Sequence, residues 1–414
     1  MKLTKFVALL FSSSGALGPE PIAQKPLHPP HASTPSASPE PNAPAYRDAL
    51  VSLHKSLVDI SSVTGTENEV GSFLVEYLTE RHFVAQLEFL PTNDTRPSKP
   101  RFNVLAWPGP NRHPSPSVLV SSHIDTVPPF IPYSRSDHVP NADTVIAGRG
   151  SVDAKASVAA QITAVLELLD AESIDAEDVM LLFVVGEERT GDGMRYFSDT
   201  VSSLDPPPNF KAAIFGEPTE GKLACGHKGF FGCTVTAHGK AGHSGYPWLG
   251  KSATEILMRA MVKVLDTDLG SSDDFGNTTI NVGTLEGGVA ANVISETAVA
   301  QIGGRVAIGP EADGGKVVVE RLRDVLESVD EDAFDLSCTN GYGVVKCDCD
   351  VDGFETITVN YGTDVPNFKG NHTRYLYGPG TILVAHGPDE AIKLKYLETA
   401  VEDYKKLILH VLQG

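Results

Sequence analysis

The sequence predicts an α/β protein built on a layered sheet, interrupted by a smaller α+β insertion. Three observations predict it. Short apolar runs bounded by turn residues recur at Val118–Val120, Met180–Val185, Ala212–Phe215 and Thr381–Val384, and such runs read as strands buried on both faces. Helical periodicities alternate with these runs as far as Glu217, the pattern of a layered sheet. Beyond Gly226 strands and helices segregate instead, the pattern of a small sandwich.

The elements follow in order. Lys2 and Lys5 precede a short apolar core, Phe6 to Phe11, with small residues Ala16 and Gly18 beyond it. This reads as a secretory signal over residues 1–18. Residues 19–45 are rich in Pro, Ser and Ala and too poor in bulky apolar residues to fold, so they read as a leader. Leu50, Leu53, Leu57 and Ile60 keep helical spacing, and Glu69 to Glu80 places Val70, Phe73, Leu74 and Tyr77 on one helix face. After Gly226, Phe231 to Ala237 alternates, Ser252 to Leu265 is an amphipathic helix, and Thr278–Val282 and Val299–Val306 read as strands. Lys316 to Val329 predicts a helix, and Asn340-Gly341 is a hairpin-turn signal. A strand at Thr356–Val359, the run ending at His386 and a last helix from Asp389 return the chain to the first layer.

Composition sets outer bounds. The 414 residues suffice for two substantial cores, and 41% hydrophobic content is ordinary for a globular protein. A net charge of −20 argues against nucleic acid or an anionic membrane as partner, since both attract a basic face. No run approaches the ~18 apolar residues of a membrane span. Sequons at Asn93, Asn277 and Asn371 agree with export. Five cysteines in an oxidising compartment predict one or two disulfides, with at least one free thiol or an intermolecular bond. Cys338 and Cys347 flank the Asn340-Gly341 turn and are expected to face each other. The cysteine spacings do not suit a four-cysteine zinc site.

The chemistry lies at the ends of the apolar runs. His123 and Asp125 follow the first, Glu187 and Glu188 the second, Glu217 the third, and His386 the last. Asp153 precedes an Ala-rich helical stretch. The carboxyl ends of strands in open α/β sheets face the ligand crevice, so these groups point at one rim. Singly, each has an ordinary reading: a solvated histidine, a Glu-Glu helix start, a turn-capping Asp. Together, carboxylates at the mouth of an apolar sheet need a counter-charge, and no Lys or Arg recurs with them. A metal pair supplies it, and mixed His and carboxylate ligands suit a hydrolytic metal such as zinc.

His123-Ile124-Asp125-Thr126-Val127-Pro128, Gly148-Arg149-Gly150 leading to Asp153 and Lys155, Glu187-Glu188, Gly216-Glu217-Pro218-Thr219 and Gly242-His243-Ser244-Gly245 stand in this order along the chain. With these motifs the chain resembles, from about Tyr46 to its C-terminus, the dinuclear zinc amidohydrolases of metallopeptidase family 20. That family holds acetylornithine deacetylase, succinyl-diaminopimelate desuccinylase, aminoacylase and glutamate carboxypeptidase. The signal and the phrase Tyr377-Gly378-Pro379-Gly380 to His386 look most like its secreted fungal carboxypeptidase-like branch.

The resemblance implies a zinc-dependent exopeptidase-type sheet with an inserted lid or dimerisation domain. Residues 46–225 and 351–414 would form the catalytic domain and 226–350 the insertion. It implies two Zn2+ per chain, with Co2+ or Mn2+ as alternatives: His123, Asp153 and Glu217 on one, Asp153, Glu188 and His386 on the other. Asp125 would orient His123, and Glu187 would be the general base. His243 would stabilise the oxyanion, often from a neighbouring subunit, while Asn292 and Arg305 would hold the substrate carboxylate. Gly303 stands where many relatives carry an acidic residue, and Lys155-Ala156 where they often have Lys-Gly. The expected activity is secreted hydrolysis of an amide bond beside a free carboxylate, on small peptides or, alternatively, N-acyl amino acids. A homodimer through the insertion is the assembly it allows. A non-catalytic peptide- or metal-binding relative is the reading of a different class; it would usually lack a ligand or the base, and all are present.

Overall fold

A computed structural model describes residues 40, 42–91, 100–110, 116–204, 206–339 and 341–414, all within the compact unit Pro35–Gly414. The signal at 1–18, most of the leader, the Asn93 sequon and Asn340 of the expected turn lie outside the described residues.

The centre is a nine-stranded mixed sheet. Its order is Phe83–Phe89, Phe102–Pro108, Val179–Val184, Val118–His123, Ala212–Gly216, Thr373–Tyr377, Leu223–His227, Val345–Lys346, with Thr356–Val359 also paired to Leu223–His227. Val118–His123 runs parallel to both neighbours, and Ala212–Gly216 runs parallel to Thr373–Tyr377. Because side chains alternate along a strand, Val118 and Val120 enter one core and Leu119 the other. Helices α1 (Arg47–Asp59), α2 (Asn68–Thr79), α3 (Lys155–Asp170) and α7 (Leu394–Gln413) cover the first face; α4 (Asp192–Thr200) packs into the second. Buried polar groups lock helix to sheet: Gln161 Nε2 donates to Ser121 O (2.9 Å) and Tyr404 Oη to Tyr377 O (2.8 Å).

The chain leaves this sheet between His227 and Gly229. Gly229–His238, Thr279–Gly287, Thr297–Val306 and Phe334–Cys338 form a four-stranded antiparallel sheet backed by α5 (Ala253–Leu265) and α6 (Gly314–Glu327). Ser252 caps α5, accepting from Glu255 N–H, which places the helix start where the sequence has its N-cap residue. The chain is back in the central sheet by Val345, so the expected boundary at 350 falls too late.

Three further expectations are corrected. Cys338 and Cys347 do not meet: the flanking strands pair in different sheets. The disulfides are Cys225–Cys349 and Cys233–Cys338, and Cys347 is a free thiol that burial pushes up to about 12. Thr381–Val384 is not a strand. Thr381 Oγ1 accepts from Leu383 N–H, a 3-10 turn forms, and Leu383 is left 85% exposed. The last helix starts at Leu394 rather than Asp389, because Ala391–Lys393 pairs with Val145–Ala147. Among the described residues, no helix is long and apolar enough to cross a membrane.

Candidate metal centre

Five segments deliver the candidate ligands, and His386 lies in the turn just after Ile382–Val384. His123 ends its strand, Glu188 lies in the turn after Val179–Val184, and Glu217 follows Ala212–Gly216. Asp153 lies in the turn before α3, and the peptide linking it to Ala154 is cis. Asp153 is the hub: its Oδ1 is 3.1 Å from His123 Nε2, and its Oδ2 is 3.3 Å from His386 Nε2. Glu217 Oε1 lies 3.9 Å from the same His123 nitrogen, and Glu188 Oε2 lies 2.9 Å from His386 Nε2. Two trios result, His123–Asp153–Glu217 and Asp153–Glu188–His386, each with donor atoms within 4.8 Å of one another.

Electrostatics explains why the cluster wants a cation. Burial raises Asp153, but hydrogen bonds from His123 and His386 outweigh it and hold the carboxyl below its ordinary range. Burial would lower His123, yet Asp125 and Asp153 hold it well above the usual imidazole value; hydrogen bonds to Asp153 and Glu188 raise His386 to about 10. Burial, then repulsion from Glu217, pushes Glu187 well above the carboxylate range, and burial raises Glu217 likewise. Among the described residues, Asp153, Glu188 and Glu217 ion-pair only with histidines. Glu188 Oε1 is buried without a hydrogen-bond partner. An orphaned acceptor beside two imidazoles and two further carboxylates fits a divalent ion.

Asp125 is fully buried and is the organiser behind His123. His123 Nδ1 lies 3.0 Å from Asp125 O and 3.5 Å from Asp125 Oδ1. The carboxylate also accepts from Thr64 Oγ1 (2.8 Å), Glu187 N–H (3.1 Å) and Glu188 N–H (3.3 Å). One side chain thus sets a ligand on one strand and the turn carrying Glu187 and Glu188 on the next. Thr64 was not legible as a site residue; only its fold neighbour reveals it. The same holds for Asp364, a buried carboxyl raised to about 6 by burial, which lines a small cavity with His123 and Glu217.

The insertion residues separate into two places. Arg305 pairs with Phe230 at the end of the insert sheet nearest the centre. A Cβ placed on Gly362 would sit 3.3 Å from its Nη1, and its guanidinium stacks 5.5 Å over the Phe230 ring. Among the described residues it has no carboxylate partner. His243 and Asn292 lie beyond the opposite end, past the His238–Thr297 pair. Both are exposed, and Ser244 N–H donates to Asn292 O (3.1 Å). Ten strand residues at ~3.3 Å each span roughly 30 Å. The structure therefore does not bring His243 and Asn292 to this chain's own candidate metal ligands.

Residues 225–333 match the family described as the peptidase dimerisation domain, so the inserted layer marks a peptidase class. Across 400 residues the chain is 56% identical to a "Peptidase M20 domain-containing protein" of Sordaria macrospora, covering 92% of this chain and 88% of that one. A "Probable carboxypeptidase" of Aspergillus flavus is 43% identical over 98% of both chains. The crystal structure of a tripeptidase from Staphylococcus aureus shares the fold, with a TM-score of 0.72 at 20% identity, covering 89% of this chain and 99% of that one. The chain belongs to the peptidase M20 family.

Proposed function

We propose that this chain is a two-zinc carboxypeptidase or dipeptidase that cleaves the amide bond next to a free carboxylate in small peptides. The observation that carries the reading is Asp153, one carboxylate whose two oxygens serve two separate donor trios. His123, Asp153 and Glu217 would hold one ion; Asp153, Glu188 and His386 would hold the other, with Co2+ or Mn2+ as substitutes for Zn2+. When bound, such a pair supplies Lewis acidity toward the scissile carbonyl and acidifies a water.

The chain's own groups do the rest. Glu187 takes a proton from the attacking water and returns it to the leaving amine. Asp125 holds the His123 ring and the Glu187–Glu188 turn in register. Arg305, without a carboxylate partner among the described residues, anchors the substrate's terminal carboxylate through its planar donor fork. His243 and Asn292 complete the site of a second copy, because they lie too far from this one. Met258, Val262 and Leu265, one turn apart on the outer face of α5, and Leu285 on the edge strand are exposed apolar residues suited to a homodimer contact. The two disulfides, with exposed sequon asparagines Asn277 and Asn371, support a secreted protein.

The test is a substrate screen on metal-free and zinc-restored protein, using free dipeptides, their C-terminal amides and N-acetyl amino acids. Two ions per chain and preference for free dipeptides are expected, with Arg305→Ala raising KM only for substrates bearing a free carboxylate. Full activity without metal would refute the reading; preference for N-acetyl amino acids would reassign the enzyme to deacylation.

A further inference from the structure

Arg149 and Glu390 form an ion pair that none of the catalytic roles above uses. Arg149 Nη1 donates to Glu390 Oε2 at 2.7 Å, and the side chains are 2% and 1% exposed. A charge pair this deep is costly to desolvate, and a hydrophobic pair of similar volume would often be no less stable. Its neighbours show what it holds. Glu390 Oε1 accepts from the backbone N–H of Val152 (3.0 Å) and of Asp153 (3.2 Å). Arg149 gives three further donors to carbonyls: Gly387 (3.1 Å), His386 (3.2 Å) and Pro129 (3.3 Å). Glu390 O also accepts from Ser151 Oγ (3.2 Å) and Gly148 N–H (3.1 Å).

The pair therefore grips the backbone of the shared ligand Asp153 with one partner and of the outer ligand His386 with the other. His386 needs such a grip. It leaves no strand, its side chain is half exposed, and its φ of +64° is a left-handed conformation uncommon for non-glycine residues.

We propose that Arg149–Glu390 is the positioning pair of the Asp153–Glu188–His386 ion site. It sets the spacing between bridging carboxylate and imidazole before any ion arrives. This rests on the two-ion reading above. Partners behind metal ligands typically change affinity by ~10–100-fold when altered.

The experiment measures zinc affinity of the metal-free protein by calorimetry and reads the absorption spectrum of the cobalt form. The proteins are wild type, Glu390→Gln, Arg149→Lys and a control, Glu398→Gln. The control breaks the Arg47–Glu398 pair between α1 and α7, part of neither ion site. Arg149→Lys, acting on the His386 side, should weaken one of two ions roughly 10- to 100-fold, and Glu390→Gln, acting on the shared Asp153, should weaken at least that ion by a similar factor, each with an altered cobalt spectrum. The control should lose melting temperature and keep both affinities. If Glu390→Gln folds poorly, Arg149→Lys still decides, since it keeps a cation beside Glu390 but cannot span the His386, Gly387 and Pro129 carbonyls. Wild-type affinities in both variants, with only a lowered melting temperature, would overturn the positioning role alone. A wild-type protein that takes up no ion would overturn it together with the two-ion reading.

Discussion

Replacing Asp125 by Asn removes one charge while changing the shape of the site very little. The cost can be worked from its contacts. Oδ1 accepts from Glu187 N–H and faces His123 Nδ1; Oδ2 accepts from Glu188 N–H and Thr64 Oγ1. An amide keeps one oxygen. Its NH2 group prefers the Oδ2 side, because the Thr64 hydroxyl can turn round and accept. That choice orphans Glu188 N–H, and the surviving bonds lose their charge assistance. A buried donor left unpaired costs on the order of 1–3 kcal/mol, and the weakened bonds bring the sum to about 2–4 kcal/mol. The Gly186–Glu188 turn can avoid much of this by shifting, which moves the proposed base Glu187 and the proposed ligand Glu188 together. At 1.36 kcal/mol per tenfold, kcat/KM should then fall roughly 30- to 900-fold. The assay is steady-state hydrolysis of a free dipeptide, with metal content and melting temperature measured on the same samples. A variant with kcat/KM near wild type and unchanged stability would show that Asp125 organises nothing.

Glu187→Gln should keep both ions and lose ~100- to 10,000-fold in turnover, since only proton transfer is removed; near-normal turnover by the metal-replete variant would dismiss Glu187 as the base. His243→Ala and Glu187→Gln should each be nearly inactive alone, yet coexpressed mixed dimers should recover up to roughly a quarter of wild-type activity, because one site then has its own Glu187 and the partner subunit's His243. No recovery would place His243 outside the partner's site. His54 and His227 are fully buried, and burial lowers both imidazoles to about 4. In the unfolded chain they bind protons near ~6.5, so the unfolded state holds more protons between those values, and their contribution to stability is lost as pH falls through that window. In urea titrations, the stability gap between wild type and His54→Gln should therefore narrow from pH ~7 to pH ~4.5; parallel slopes would contradict the depressed imidazole.

The reach of local sequence can be judged residue by residue. Val118–His123, Val179–Val184 and Ala212–Gly216 were readable because a strand buried on both faces must be apolar throughout, and a ligand at its carboxyl end breaks that run visibly. His123, Glu188 and Glu217 announce themselves in this way. Asp153 was visible because its glycine-rich turn precedes a long apolar helix. His386 was read at the end of an apolar run taken as a strand, and that local structure was misread: Ile382-Leu383-Val384 has the composition of a strand, yet a Thr cap and the surrounding loop make it an exposed turn.

What sequence by itself determined was thus the layered α/β class, the inserted second layer and the residue types gathered at the rim, all of which follow from periodicity within one element. Tertiary structure alone decided the rest. The cysteine partners depend on which sheet each strand joins, and Phe334–Cys338 and Val345–Lys346 part company although only residues 339–344 lie between them. Arg305 stands near the candidate metal centre and His243 far from it because the antiparallel register puts them at opposite ends of one sheet. Thr64, Arg149 and Glu390 matter only through hydrogen bonds to residues distant in sequence. Such contacts leave no local pattern, since any exposed loop can carry a Thr, an Arg or a Glu; their meaning arises when the fold closes over them and each buried polar group must find its partner.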